Sequence, residues 1–372
     1  MPAFEISTLV VLAALGLGVV FGVLAERSQF CLLSGVRDRI AGRSDEKLLA
    51  FVLAALMAVA GTQALVSFGA LDLSGAIYLP KGSSLVAAAL GGALFGLGAV
   101  AARGCLGRLI VLSSTGNLRA AVVILTAGVI AYATLRGVLA IPRTGLQAVL
   151  PTDAASVDLA ARLADATGID ASVVRLAVVA LAVGLAALVL LRHGPTWRLV
   201  AGAAIGLLVV AGWAVTGILG ADEFEPTPVA SLTFAAPLGN SLQYLMTATG
   251  ARVDFGIALI GGTLLGAALS ARLAGAAALQ GFEGAEQMLR YLGGAALMGF
   301  GAVLALGCTA GQGLTGVSTL SILSFVALAA IVAGMRLGFV IEARLAARGE
   351  ERTPAGDKAR ASGSSTLSPA VS

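Results

Sequence analysis

Residues 91–105 read GGALFGLGAVAARGC and residues 294–308 read GAALMGFGAVLALGC, and ten of the fifteen positions are identical at a fixed offset of 203. Both segments carry glycine at helical spacing and both end in Gly-Cys. Each runs into a short Gly- and Ser-rich stretch, LGRLIVLSSTG after Cys105 and TAGQGLTGVST after Cys308, and then into a further apolar run. Glycine-rich helices can resemble one another through packing demands alone, but those demands do not place a cysteine at the same end twice. The chain therefore carries an internal repeat.

The sequence around the repeat is that of a membrane protein. It is 58% hydrophobic and 12% charged, with a mean hydropathy of +0.96, whereas a soluble domain carries about a quarter charged residues. A helix needs about 20 apolar residues to cross the hydrocarbon core. Nine spans are expected, at 7–25, 48–68, 85–102, 120–136, 176–191, 199–217, 255–271, 291–306 and 318–335. Met1–Thr8 has no basic residue, so the first span is expected to be retained rather than cleaved as a signal. The 49 glycines suit helices whose backbones approach closely in lipid.

Loop charges set the orientation. With the N-terminus outside, the inner loops and tail collect 16 of the 24 Lys and Arg residues and the outer side receives six, the bias expected of cytoplasmic loops. The N-terminus is expected in the periplasm and the C-terminus in the cytoplasm. The outer loops then hold ten acidic residues, so any attraction of an anion there must come from a local positive pocket within an acidic rim.

Counting crossings makes the repeat inverted. The first copy lies on the third span and the second on the eighth, and an odd step reverses direction. Inverted repeats build many transporter folds, with the path at their interface near the midplane. The stretch after each cysteine is too broken by glycine for an ordinary span and too apolar for a solvated loop. Such backbone survives at membrane depth where protein or a wet cavity satisfies it, so short re-entrant segments are expected there. The fold class is all-α: a polytopic membrane protein of about nine helices plus re-entrant short helices. A single transmembrane domain is expected over 1–347, with pseudo-repeats at roughly 7–136 and 199–335 and an outer insertion at roughly 137–172. Residues 348–372, rich in Ser, Ala, Gly and charge, are expected to form a disordered cytoplasmic tail.

Cys31, Cys105 and Cys308 are the three cysteines, each in a broken small-residue context: SQFCLLSG, RGCLGR and GCTAGQG. An odd number cannot all pair within one chain, and no spacing resembles a zinc or CxxC redox pattern. The one histidine, His193, lies in the basic loop RHGPTWR, so neither metal chemistry nor Cys-His catalysis is supported. No catalytic residue, metal or cofactor is expected. Isolated thiols are weak donors and weak acceptors, suited to touching a soft atom without trapping it. An anion also needs donors, and free backbone N–H groups at broken helix ends supply them. Gly104, Gly107, Gly307, Gly311 and Gly313 would expose such groups. Arg27, Arg103 and Arg108 would add positive potential, or would only reach toward the interface, and Thr309 and Gln312 are candidate pathway dipoles.

These residues resemble the YeeE/YedE family of bacterial inner-membrane sulfur transporters, whose characterised branch takes up thiosulfate. The resemblance rests on RSQFC at 27–31, on GALFGLGAVAARGCLGR at 92–108 followed by GNLRA at 116–120, and on GFEGAEQMLRYLGGAALMGFGAVLALGCTAGQGLTG at 281–316. It spans roughly residues 15–340. It implies nine spans plus re-entrant helices around an hourglass-shaped path, one cysteine in each motif, and thiosulfate or a related small sulfur-containing anion as substrate. A cytosolic partner of the TusA sulfurtransferase type is also implied, and no nucleic acid. GCLGR differs from GCTAGQG, so the two gates need not be chemically equivalent. Other readings are a selenium-linked transporter of the same family, a membrane sulfurtransferase carrying persulfide on a cysteine, and a membrane anchor for a sulfur-handling partner.

Overall fold

A computed structural model describes residues 3–80, 84–148, 158–221, 227–281 and 284–352. They form fourteen helices. The first six are α1 (Ala3–Ser28), α2 (Leu32–Ile40), α3 (Glu46–Ser67), α4 (Leu85–Ala101), α5 (Leu106–Ser114) and α6 (Leu118–Arg136). The insertion adds α7 (Ala140–Ala148) and α8 (Leu159–Thr167), and α9 (Ala171–His193) leads to the second half. That half holds α10 (Trp197–Ala214), α11 (Ala235–Thr247), α12 (Phe255–Leu273), α13 (Ala285–Leu304) and α14 (Ile322–Arg352). Two π-helical turns interrupt it, at Val215–Leu219 and Gly311–Gly316.

Eight stretches of the described residues are long and apolar enough to cross a bilayer. They account for eight of the nine expected spans. The ninth falls on α13, whose first turns carry Glu286, Gln287 and Arg290 and whose last three turns are apolar. α9 is the least buried of the eight: it packs on α3 and α8 and leaves most of its apolar surface to lipid. α14 continues to Arg352, past the expected start of the tail, and residues 353–372 lie outside the described residues. So do residues 149–157 of the insertion.

The centre of the bundle is the crossing of α4 and α13, the two glycine-rich repeat segments. A Cβ on Gly91 would run into Gly301 O and Ala305 N, and one on Gly301 into Gly91 O and Phe95 N. Gly98 and Gly294 stand in the same reciprocal relation at the other end of the crossing. Lipid gives apolar side chains little reason to associate, so close backbone contact is what holds such helices together. Around this seam, α1 meets α12 through Gly18 and Gly22, and α10 meets α3 through Gly202 and Gly206. In the same way α4 meets α14 through Gly96, and α13 meets α6 through Gly299.

The insertion is tied to the bundle. Asp158 caps α8 by accepting from Ala160 N and bridges Arg175 at 2.7 Å, and Leu159 N–H donates to Leu320 O at 3.0 Å. It thus rests on the end of the segment that follows Cys308.

Candidate functional site

Each cysteine occupies the same kind of corner. α1, α4 and α13 end in a left-handed residue two positions before the cysteine: Gln29 (φ 55°), Arg103 (φ 54°) and Leu306 (φ 59°). Each of these donates its N–H three residues back, to Glu26 O, Val100 O and Val303 O, and the next residue donates five back, to Ala25 O, Ala99 O and Ala302 O. That double closure ends a helix sharply. Non-glycine residues pay about 1–2 kcal/mol for the left-handed conformation. Packing sustains three such corners here.

The cysteine then starts the next helical segment. Cys31 O accepts from Gly35 N, Cys105 O from Leu109 N and Cys308 O from Gln312 N, at 3.1, 2.9 and 2.7 Å. Each therefore sits at a helix N-terminus, where N–H groups lack intrahelical partners and the dipole favours negative charge. α2 and α5, nine residues each, are too short to cross a bilayer, as expected of the segments that follow a break. The segment after Cys308 is helical too, with its π-helical turn over Gly311–Gly316.

The corners converge. Cys31 Sγ and Cys105 Sγ are 3.7 Å apart, and the Thr309 hydroxyl lies beside the Cys105 sulfur. Cys308 is the neighbour of Thr309 in the chain and lies close to Tyr78. All three thiols are buried and free of disulfides. The start of α11 offers a comparable helix N-terminus without the left-handed turn: Phe234 O accepts from Leu238 N, as the cysteine carbonyls do elsewhere. The Phe234 ring lies 5.0 Å from that of Phe21 and touches the bare backbone of Gly107.

Two cavities flank this closed centre. On the face that carries α2, about 260 Å³ is lined by Cys31, Ser34, Arg37, Lys47, Arg103 and Arg108, with Glu342 as the only carboxylate among the described residues. Glu342 is itself bridged to Arg290 at 2.7 Å, so the cavity is electropositive with a thiol at its floor. On the opposite face, about 390 Å³ is lined, among the described residues, by Ser231, Thr233, Asn240, Asp254 and apolar side chains, with no Lys or Arg among them. None of these described residues supplies the local positive pocket anticipated for the outer mouth. The cations gather at the other end.

The remaining anticipated residues divide. Gly104 lines the electropositive cavity, and Gly311 faces Thr233 and Tyr78. Gly307 packs on Gln312, and Gly313 on Phe51 and Leu328. Gln312, fully buried, donates from Nε2 to Ala305 O across the break, and its Oε1 has no partner among the described residues. Arg108 donates to Ala25 O at 3.4 Å. Arg27 turns away, donating to Ser270 Oγ, which in turn donates to Glu26. Arg37, Lys47 and Ser34 take the position that sequence proximity to Cys31 suggested for Arg27. The spacing of α2 could have found Ser34 and Arg37: Leu32, Leu33 and Val36 are buried, which leaves those two on the other face, whereas Lys47 comes from α3. Tyr78, Thr233 and Phe234 carry no such signal.

Residues 27–337 match the sulphur transport family. The chain belongs to that family. Among its relatives is the thiosulfate transporter TsuA of Escherichia coli (strain K12), 25% identical over 330 residues, covering 82% of this chain and 86% of TsuA. The match begins at Arg27 and ends inside α14, so it takes in all three thiol corners. Within the sulphur transport family this chain is an all-helical, polytopic membrane protein.

Proposed function

We propose that this chain takes up thiosulfate or a closely related small sulfur anion across a bacterial inner membrane. The observation that carries the reading is the file of thiols: Cys31 and Cys105 at 3.7 Å, joined through Thr309 to Cys308, between cavities on opposite faces. The anion enters from the cavity lined by Ser231, Thr233 and Asp254, passes the thiols by transient S–H and backbone N–H contacts, and leaves through the electropositive one. Weak contacts in series let an ion enter a site and leave it again. A cytosolic sulfurtransferase of the TusA type would collect the sulfur at that exit.

An inverted repeat of α1–α6 with α10–α14 underlies the path. It is supported by the reciprocal α4/α13 seam and by the way α1 meets α12 as α10 meets α3. The direction follows from the loop charges. Reporter fusions after Arg43 and after Ser372 are expected to give cytoplasmic signals, and a periplasmic signal from either sinks the assigned orientation.

The purified protein in liposomes, given labelled thiosulfate with sulfate as competitor, tests the reading. Accumulation supports it. Persulfide on a cysteine with no accumulation would transfer the chain to the sulfurtransferase class. Replacing Arg103 and Arg108 together by glutamine is expected to weaken apparent affinity from the electropositive side by about three- to tenfold at low ionic strength. The effect should fade toward ~1 M salt, where the Debye length falls to about 3 Å. A loss independent of salt would deny the arginines an electrostatic role.

A further inference from the structure

At the Cys31–Cys105 end of the path two thiols face each other, whereas Cys308 has no second thiol within hydrogen-bond distance. A tetrahedral sulfur oxyanion arriving there still has three oxygens to satisfy, and a lone thiol is a poor donor. Tyr78 lies close to Cys308, and its hydroxyl and that of Thr233 both face Gly311, three residues beyond Cys308. Tyr78 is 1% exposed, yet its Oη has no hydrogen-bond partner among the described residues. Thr315 and Ser321 close by are satisfied, donating to Leu232 O and to the backbone oxygen of Tyr78 itself, both at 2.6 Å, whereas Ser324 Oγ and Gln312 Oε1, which face Gly316 together with the Tyr78 ring, also lack partners among the described residues. A buried hydroxyl without a partner requires an explanation, and an absent ligand is one.

The hydroxyl is also held in place. The Tyr78 backbone is pinned by Ser321, and its ring stands edge-on to Trp213 with centroids 6.4 Å apart. Oη is directed at Gly311, three residues beyond Cys308. A Cβ built on Gly311 would lie 2.7 Å from Thr233 Oγ1 and 3.2 Å from Tyr78 Oη, so both hydroxyls converge on bare backbone. Thr233 Oγ1 lies beside Tyr78 Oη without meeting hydrogen-bond geometry, and Thr233 is half-buried because it also lines the 390 Å³ cavity. A solute in that cavity reaches Thr233 first, then Tyr78, then Cys308.

We propose that Tyr78 and Thr233 form an oxyanion station: two neutral hydroxyl donors that hold the oxygens of a tetrahedral sulfur oxyanion while its terminal sulfur faces Cys308. The assignment rests on the transport reading above and adds to it the group that recognises the oxygens. Neutral donors suit the task, because an arginine at the same depth would bind the anion too tightly to release it.

Tyr78→Phe in the full-length protein removes one oxygen and keeps the ring against Trp213. In proteoliposomes its KM for labelled thiosulfate should rise about tenfold, with Vmax within about twofold of wild type and an unchanged Tm. Thr233→Val should move KM the same way by a smaller factor. Sulfate should lose potency as a competitor by the same factor as thiosulfate loses affinity, since both offer oxygens to the same donors. Wild-type KM in both variants overturns the station. So does a fall in Vmax and Tm at constant KM, which is the mark of a packing role. Binding separates this failure from that of the transport reading: thiosulfate should raise the Tm of the wild-type protein in detergent and raise that of Tyr78→Phe far less. If wild type accumulates nothing but this difference in Tm shift persists, the station stands and transport falls.

Discussion

Cys105→Ser is expected to cut thiosulfate uptake at least tenfold while leaving expression and Tm close to wild type. Cys105 is the thiol that touches both neighbours, Cys31 Sγ at 3.7 Å and the Thr309 hydroxyl, so on the proposed path the substrate must pass it. Serine keeps the shape and the hydrogen-bonding capacity, which is why the fold should not notice. It loses the polarizable sulfur and gains a stronger donor and acceptor. Where the thiol makes weak contacts that break easily, the hydroxyl would bond to Thr309 and hold the corner shut. A tenfold loss is about 1.4 kcal/mol, the scale of one ordinary hydrogen bond in a buried setting. Cys31→Ser and Cys308→Ser should follow in the same direction. Wild-type uptake in all three serine variants would reduce the thiols to packing residues and end the mechanism proposed above.

The largest structural effect is expected at the central seam. Gly301→Leu should abolish folded protein, because even its Cβ meets Gly91 O and Phe95 N, which are backbone atoms unable to swing aside. Overpacking a core costs about 1–3 kcal/mol when side chains can adjust. Here the two central helices would have to separate, and the cost should exceed that range. Gly293 supplies the control on the same helix. A Cβ there meets nothing within 4 Å, so Gly293→Ala should gain about 0.5–1 kcal/mol from helix propensity alone. Thermal melting of fluorescent fusions in detergent would separate the two. Equal behaviour would mean that the seam does not hold the bundle together.

Much of this architecture was legible because membrane helices advertise themselves and glycine marks close approach. The matched Gly-Cys ends of 91–105 and 294–308 located two of the helix breaks, and the broken stretch SQFCLLSG located the third. Less visible was how sharply the chain turns at each break. Arg27 lies four residues before Cys31, yet the left-handed turn at Gln29 leaves it on α1, facing Ser270 of α12. Arg37 lies six residues after Cys31, and α2 carries it back over the cavity. Distance along the chain misleads wherever the direction reverses. The ninth span was diluted by the polar first turns of α13, which pair outward through Arg290 and Glu342. Tyr78 and Thr233 sit in connecting segments whose packing has no periodicity to read. Only the folded chain brings a loop tyrosine against the π-helical turn that follows Cys308.

The glycine seam between α4 and α13 also governs how the molecule can move. Backbone lies on backbone there, so no rotamers are available to rearrange, and a slide of one turn would drive carbonyl against carbonyl. Compliance is left to the corners, where nine-residue helices hang on strained turns. Loop-scale excursions of that kind run in nanoseconds to microseconds, whereas collective rocking of half-molecules takes microseconds to milliseconds. The scaffold would act as a stiff frame with a soft throat. Throughput would then be set by how often the thiol corners part, and hydrogen exchange would be slowest along the seam and fastest at Gln29, Arg103 and Leu306.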